Sequence, residues 1–345
     1  MNPMLEGAFR RHHLITRAAA RAAGLAPQAI DRLVRDGDWV AVRRGVYAER
    51  AYVATLATRA ERQRLRDDAA CLTTRVRHVR SHDSAAIVWG LPILLPKVSW
   101  THLTVPVPPD APPAPQRTRR RHGVKHHRAP YGPADLPTVV DGIGVLGRAR
   151  TALDIARDRG LLPGVVTVDA ALHAGSGPAE FTAVLDRMRN WPHVTIARQA
   201  VDLADAGAES WGETLARLLV ESLGRGRPET QFGLSREGRT AFVDLRLGRH
   251  LIEFDGQVKY RRREAGGLAD RPAEDVVWEE KKRQDWLCGF KLGMSRLTVA
   301  DVLGPGREAA AARLERELAD TDARFGTSIE DLSPYVVRRR ARRTA

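Results

Sequence analysis

The chain has 345 residues, 43% of them hydrophobic, which is enough for about two domains with separate cores. Its formal charge of +14 favours polyanionic partners, although six lysines among fifty-six basic residues make this an arginine-rich composition rather than a tailored basic patch. The two cysteines, Cys71 and Cys288, form no paired motif and exclude a disulfide framework or a cysteine zinc site. The longest apolar run, 85–95, is broken by Gly90 and Pro92, so no bilayer span or signal peptide is expected and the cytoplasm is the expected compartment.

The first fifty residues predict a winged helix-turn-helix. Thr16 caps a helix over 17–23 that stops at Gly24, and Pro27 opens a second over 28–36 that stops at Gly37. Ile30, Leu33 and Val34 form the stripe to be buried, which leaves Gln28, Arg32 and Arg35 to face a major groove. Strand-like residues 39–42 and 46–47 flank Arg43-Arg44-Gly45, a wing whose arginines would lie beside phosphates. A small helical subdomain with solvated arginines is the alternative. The segment 15–48, with Ile30-Asp31-Arg32-Leu33-Val34-Arg35 and the closing Arg43-Arg44-Gly45-Val46-Tyr47, resembles the N-terminal domain of AbiEi-type antitoxins, the repressor halves of type IV toxin-antitoxin systems. The likeness extends to Ser81-His82-Asp83-Ser84, Gly90-Leu91-Pro92 and Arg148-Ala149-Arg150-Thr151. It implies double-stranded DNA as a partner and a toxin as a possible second one.

The region 51–203 reads as a mixed α/β middle section, largely helical over 52–79 and strand-like over 101–107. Residues 117–128 follow a proline-rich run and hold clustered arginines, Lys125 and three histidines. They read as a solvated loop, with a phosphate-contacting arm as the alternative. His122 and His126 have the spacing of a helical metal pair, but the surrounding positive charge opposes it; His78 and His82 offer no better pair. Gly142-Ile143-Gly144-Val145-Leu146-Gly147 matches a dinucleotide-binding fingerprint literally, yet Asp141-Gly142 between β-branched residues reads better as a hairpin turn.

From 204 to 304 the pattern is that of a nuclease-like domain. Two alternating strands meet at Gly248-Arg249, and a type II′ turn there sets Leu247 opposite His250, Leu245 opposite Ile252 and Asp244 opposite Glu253. Asp255 shares the face of Glu253, while Val243, Leu245, Ile252 and Phe254 are expected on the other face. Carboxylates directly opposed on a sheet call for a cation between them, and Mg²⁺ or Mn²⁺ suits an oxygen-only set; solvated or arginine-paired acids are the alternative. The run Asp244, Glu253-Phe254-Asp255-Gly256, Lys259-Tyr260 resembles the core of PD-(D/E)XK nucleases of the very-short-patch-repair branch. That resemblance implies a restriction-endonuclease-like α/β/α fold with Glu213, Asp244 and Glu253 as metal ligands; Asp255, on the face of Glu253, is a further candidate ligand, and Lys259, just beyond in sequence, is placed to orient a water or neutralise the transition state. Asp255 stands where the family carries its lysine, and the histidine expected after Asp-Gly is absent. Ser210-Trp211-Gly212-Glu213 also fits a capping box, so Glu213 has a purely structural alternative. A helix over 306–319 and a basic tail complete a segment 305–345.

The sequence thus predicts a mixed α/β multidomain protein: winged helix 1–50, middle region 51–203, endonuclease-like domain 204–304 and C-terminal segment. Two functions stay open. One is a DNA-binding, metal-dependent endonuclease; the other is a non-catalytic DNA-binding regulator of the antitoxin kind with a degenerate nuclease fold.

Overall fold

The computed structural model describes residues 13–107, 119–140, 142–256 and 273–338, with Gly7 and Phe9. It confirms a mixed α/β protein with three sheets. The chain divides into two compact units, one of residues 1–167 and 176–201, the other of 168–175 and 202–345.

The first unit begins with β1 (Ile15–Thr16), α1 (Arg17–Ala22), α2 (Pro27–Asp36), β2 (Trp39–Arg43) and β3 (Val46–Glu49). Local signals set these bounds. The Thr16 hydroxyl accepts from the Ala19 amide at 3.0 Å, Pro27 is the first residue of α2, and Gly37 ends it at φ +85°. The three strands pair antiparallel in the order β1-β3-β2. Period-two alternation splits β3 between two cores: Tyr47 packs with Phe9, Ile15, Ile30 and Trp39, whereas Val46 and Ala48 pack with Leu14, Leu56 and Leu65. Ile30 is fully buried, worth about 1.5–3 kcal/mol of apolar transfer.

The same unit continues through α3 (Arg50–Thr55), α4 (Arg59–Thr73), β4 (Val79–Arg80), α5 (His82–Val88), β5 (Thr101–Pro106), β6 (Arg119–Arg121), β7 (Val124–Ala129), β8 (Thr138–Val140), β9 (Ile143–Val145) and α6 (Arg148–Arg159). A capping box between Thr58 and Glu61 starts α4. The six strands form one mixed sheet in the order β6-β7-β5-β4-β9-β8, with β5 parallel to β7 and β4 parallel to β9. Residues 119–129, expected as a loop, are instead an antiparallel hairpin turning at His122-Gly123, where both residues have positive φ. His122 and His126 therefore do not share a helix face. The Gly142 segment is also a hairpin, β8 with β9, so it lacks the strand-turn-helix cradle of a dinucleotide site. Helix α7 (Leu161–His173) runs into the second unit; α8 (Pro178–Arg187) and α9 (Val194–Asp202) follow.

The second unit contains α10 (Trp211–Glu221), β10 (Glu229–Arg236), β11 (Arg239–Leu247), β12 (His250–Asp255), α11 (Ala273–Cys288), β13 (Gly293–Thr298), α12 (Val299–Leu303), α13 (Arg307–Phe325) and β14 (Val336–Arg338). Its sheet runs β13-β12-β11-β10-β14, parallel only between β12 and β13. Leu251, Leu287, Phe290 and Leu292 pack together on the α11 side. On the other side, Phe254 meets Trp211 edge-on at 5.8 Å, and a Cβ on Gly212 would collide with the Phe254 ring, so α10 needs glycine there. The sheet is thus covered on both faces.

Leu247 lies opposite His250 and Leu245 opposite Ile252, as expected, but the β11–β12 pairing runs no farther than Leu245, and the expected Asp244–Glu253 pair is not among its partners. Gly248 has φ +57°, as a type II′ turn requires at its first central position. Val243, however, packs with Leu251 and Phe232 rather than on the Ile252 and Phe254 side. Gln231 on β10 takes φ +51°, an uncommon conformation for a residue other than glycine. Neither face is simply polar, because α11 buries Leu251 beside Glu253. Among the described residues no helix is long and apolar enough to cross a membrane.

Candidate functional site

In the winged helix, the sequence periodicity of α2 places its side chains. Ile30 is buried, Leu33 and Val34 are half-buried, and Gln28, Arg32 and Arg35 are exposed. Asp31 on the same surface is tied to Arg17, Nη1 to Oδ1 at 2.8 Å, in an exposed pair, which fixes α1 against α2 and leaves Arg32 and Arg35 as outward cations. At the β2–β3 turn, Gly45 supplies φ +75° and Arg44 is exposed. Arg43 behaves differently: its Nη1 donates to the His122 carbonyl at 2.9 Å, and burial lowers its pKa. It ties the wing to the β6–β7 hairpin.

The second cluster lines a cleft of about 530 Å³ with Glu209, Glu213, Asp244, Glu253, Asp255 and Glu280, together with Arg283 and Arg296. Strands β11 and β12 bring Asp244, Glu253 and Asp255 there; α10 adds Glu213, and α11 adds Glu280 and Arg283. Asp244 Oδ2 accepts the Phe254 amide at 2.8 Å, so this carboxylate extends the ladder between the strands. Glu253 pairs with Arg283 Nη2 at 2.6 Å, and Arg296 pairs with Glu280 at 2.8 Å. Burial opposes the Arg283 charge, but Glu253, then Glu280 and Asp244, outweigh it and raise its pKa. Glu213 accepts the Glu209 amide at 2.8 Å and the Ser210 hydroxyl at 2.9 Å, and Gln231 reaches it at 3.3 Å. Its side chain therefore serves the helix start. Lys259 lies outside the described residues.

A third cluster is not evident in the sequence. His82 at the start of α5, His102 on β5 and His127 on β7 are all buried, and one ring nitrogen from each lies within 4.8 Å of the other two. Desolvation lowers the pKa of each: His127 falls to about 4, and His82 and His102 fall well below the usual value. All three are neutral at pH 7. The local sequence carries little sign of this, because the partners are 20 and 25 positions apart and meet only through the parallel pairing of β5 with β7.

Residues 7–50 match the family described as a transcriptional regulator, the AbiEi antitoxin. The AbiEi-like segment thus coincides with the helices and wing that expose Gln28, Arg32, Arg35 and Arg44. Among solved structures, the chain is similar to the RV2827C protein from Mycobacterium tuberculosis, with 17% identity and a TM-score of 0.36 over 62% of this chain and 78% of that one. No curated protein matches.

Proposed function

We propose that the protein is a DNA-binding transcriptional regulator of the antitoxin type, acting in the cytoplasm, which lays α2 in the major groove of double-stranded DNA and sets Arg44 beside a phosphate. The observation that carries this reading is the outward face of Gln28, Arg32 and Arg35, backed by the buried Ile30, within the segment that matches AbiEi regulators. Long polar side chains on a rigid helix suit both base edges and phosphates. In this reading a toxin is a possible protein partner, and the second unit is a degenerate nuclease fold serving as a further binding module. Two features favour the non-catalytic role: Glu253 is already paired with Arg283, at 2.6 Å, and Arg296, at 4.0 Å, and Glu213 is engaged at its helix start. Gel-shift titration with the DNA upstream of the protein's own coding sequence tests the proposal. Binding that is lost in Arg32→Ala/Arg35→Ala supports it; equal binding by that variant overturns it.

A second reading is favoured by the carboxylates converging on one cleft. Asp244 and Glu253, with Asp255 and Glu213 as further oxygens, would hold Mg²⁺ or Mn²⁺, whose chemistry is to activate water and offset charge on a phosphodiester. The donor types suit such an ion once Arg283 swings away from Glu253, and Lys259 is the candidate to neutralise the transition state. Plasmid nicking with Mn²⁺ that disappears in Asp244→Ala would establish this activity. No nicking by either protein, with DNA binding retained, would exclude it.

A further inference from the structure

The geometry points to a zinc-type transition-metal site formed by His82, His102 and His127, with its fourth position open to the adjoining cavity. Strand pairing explains the convergence. Thr104 lies opposite His127 and His102 opposite Lys125 in the parallel β5–β7 ladder, so His102 and His127 are diagonal neighbours on one sheet face. Helix α5 then sets the His82 ring flat on His127, with centroids 3.8 Å apart. His82 holds a positive φ of 47°, a conformation rare outside glycine and asparagine, and this turns the first residue of the helix into the cluster.

The three donor nitrogens lie within 4.8 Å of one another. His102 Nδ1 and His127 Nε2 lie 3.0 Å apart, close to the roughly 3.3 Å between ligand nitrogens around tetrahedral zinc with bonds of about 2.0–2.1 Å. His82 is stacked on His127 with the ring planes 16° apart, so sharing one metal, which lies in the plane of each imidazole, requires the His82 ring to turn out of that stack. Its Nδ1 lies 3.0 Å from the Ser81 hydroxyl, a contact of the kind that orients a metal-binding imidazole. An all-imidazole set selects zinc, cobalt or nickel over magnesium or calcium.

The cavity beside the cluster supplies an independent sign. It measures about 230 Å³, and its lining includes His82, His127, Thr104, Asp154, Asp158 and Arg157. The Thr104 hydroxyl is fully buried and has no hydrogen-bond partner, although buried hydroxyls are ordinarily satisfied. A water on the fourth position of the metal would meet it. The surrounding cations are partly offset by acids, because Lys125 pairs with Asp158, Arg157 and Arg150 with Asp154, and Arg159 with Asp83.

Titration of the tag-free full-length chain with Co²⁺ tests the site. The expected result is one equivalent bound, with the absorption bands of tetrahedral cobalt, displaced by Zn²⁺. His102→Ala and His127→Ala should each weaken binding on the order of 100-fold or more, while His122→Ala/His126→Ala binds as wild type does. No stoichiometric binding by the wild type, or unchanged binding in the two core variants, overturns the inference. Should those variants fail to fold, X-ray absorption of the wild-type cobalt complex decides. Imidazole scattering from three rings supports the site; sulfur ligation or an oxygen-only shell overturns it.

Discussion

Arg283 on α11 reaches Glu253 on β12 at 2.6 Å and also donates to the Phe242 carbonyl, so one guanidinium neutralises a carboxylate and ties a helix to the sheet. Arg283→Met removes both and leaves the buried Glu253 with Arg296, at 4.0 Å, as its remaining cation. The expected cost is about 1–3 kcal/mol, the penalty for depriving a buried carboxylate of its close partner. Urea unfolding with and without Mn²⁺ separates the two readings of the cleft. If the carboxylates accept a divalent ion, Mn²⁺ raises the midpoint of the variant more than that of wild type. A variant indifferent to Mn²⁺ would remove the metal from this site.

The winged helix yields a contrast between neighbouring arginines. Arg32 and Arg35 are exposed, whereas Arg43 donates to the His122 carbonyl. Arg32→Ala/Arg35→Ala should weaken DNA binding at least about tenfold and flatten the log–log salt dependence by about one for each phosphate that is no longer neutralised. Arg43→Ala should instead lower thermal stability and leave the salt slope near wild type. Fluorescence anisotropy at several salt concentrations measures both slopes. A larger change in slope for Arg43→Ala would move the phosphate-binding role into the wing.

The sequence makes legible whatever local chemistry fixes. Thr16, Pro27 and Gly37 delimit the N-terminal helices, and Gly248 sets the β11–β12 register within a two-residue turn. Legibility ends where distant chain decides. Val243 packs with Leu251 and Phe232 from the other strands, a partnership that period-two alternation within β11 does not give. Arg283, some thirty residues beyond Glu253, supplies a cation to that carboxylate at 2.6 Å. In the sequence His127 is one more member of a basic run, and only parallel pairing with β5 makes it one of three buried imidazoles.

Asp67 on α4 gives a pH dependence with a definite sign. It is fully buried and accepts from Gln63 Nε2 at 2.7 Å. Desolvation pushes its pKa up to about 7, only partly offset by the side chains of Thr101, Ser84 and Gln63. A pKa raised in the folded state means the folded protein prefers the protonated acid. Its contribution to stability is complete below the unfolded value near 3.9 and is lost as pH rises toward 7. The loss is of order 1–4 kcal/mol, since one proton bound more tightly by the folded state changes stability by at most about 1.4 kcal/mol per pH unit. Asp67→Asn should therefore melt higher than wild type at pH 8 and much closer to it at pH 4.5. Parallel melting curves across this range would show that Asp67 ionises without cost.

The buried pair of Arg217 and Asp169 tests the core of the second unit. The two meet at 2.9 Å with essentially no exposure. Asp169 also accepts from the Thr214 hydroxyl at 2.8 Å and the Asp205 amide at 2.7 Å, while Arg217 donates to the Leu203 carbonyl and to Glu221. Burial raises the pKa of Asp169, and Arg217 is the first force opposing that rise. Arg217→Met strands the carboxylate, at a cost of about 3–5 kcal/mol where it stays charged. Without its partner, Asp169 rises further in pKa, so the variant is most stable in acid and weakens as pH increases. Unfolding in urea at pH 5 and pH 8, followed by tryptophan fluorescence, should show the larger deficit at pH 8. Adding Asp169→Leu removes the stranded charge and should recover part of the loss, because an apolar pair of similar volume can replace a buried ion pair. An equal deficit at both pH values, with no recovery in the double variant, would mean that Arg217 acts through its bonds to Leu203 and Glu221 rather than through the charge of Asp169.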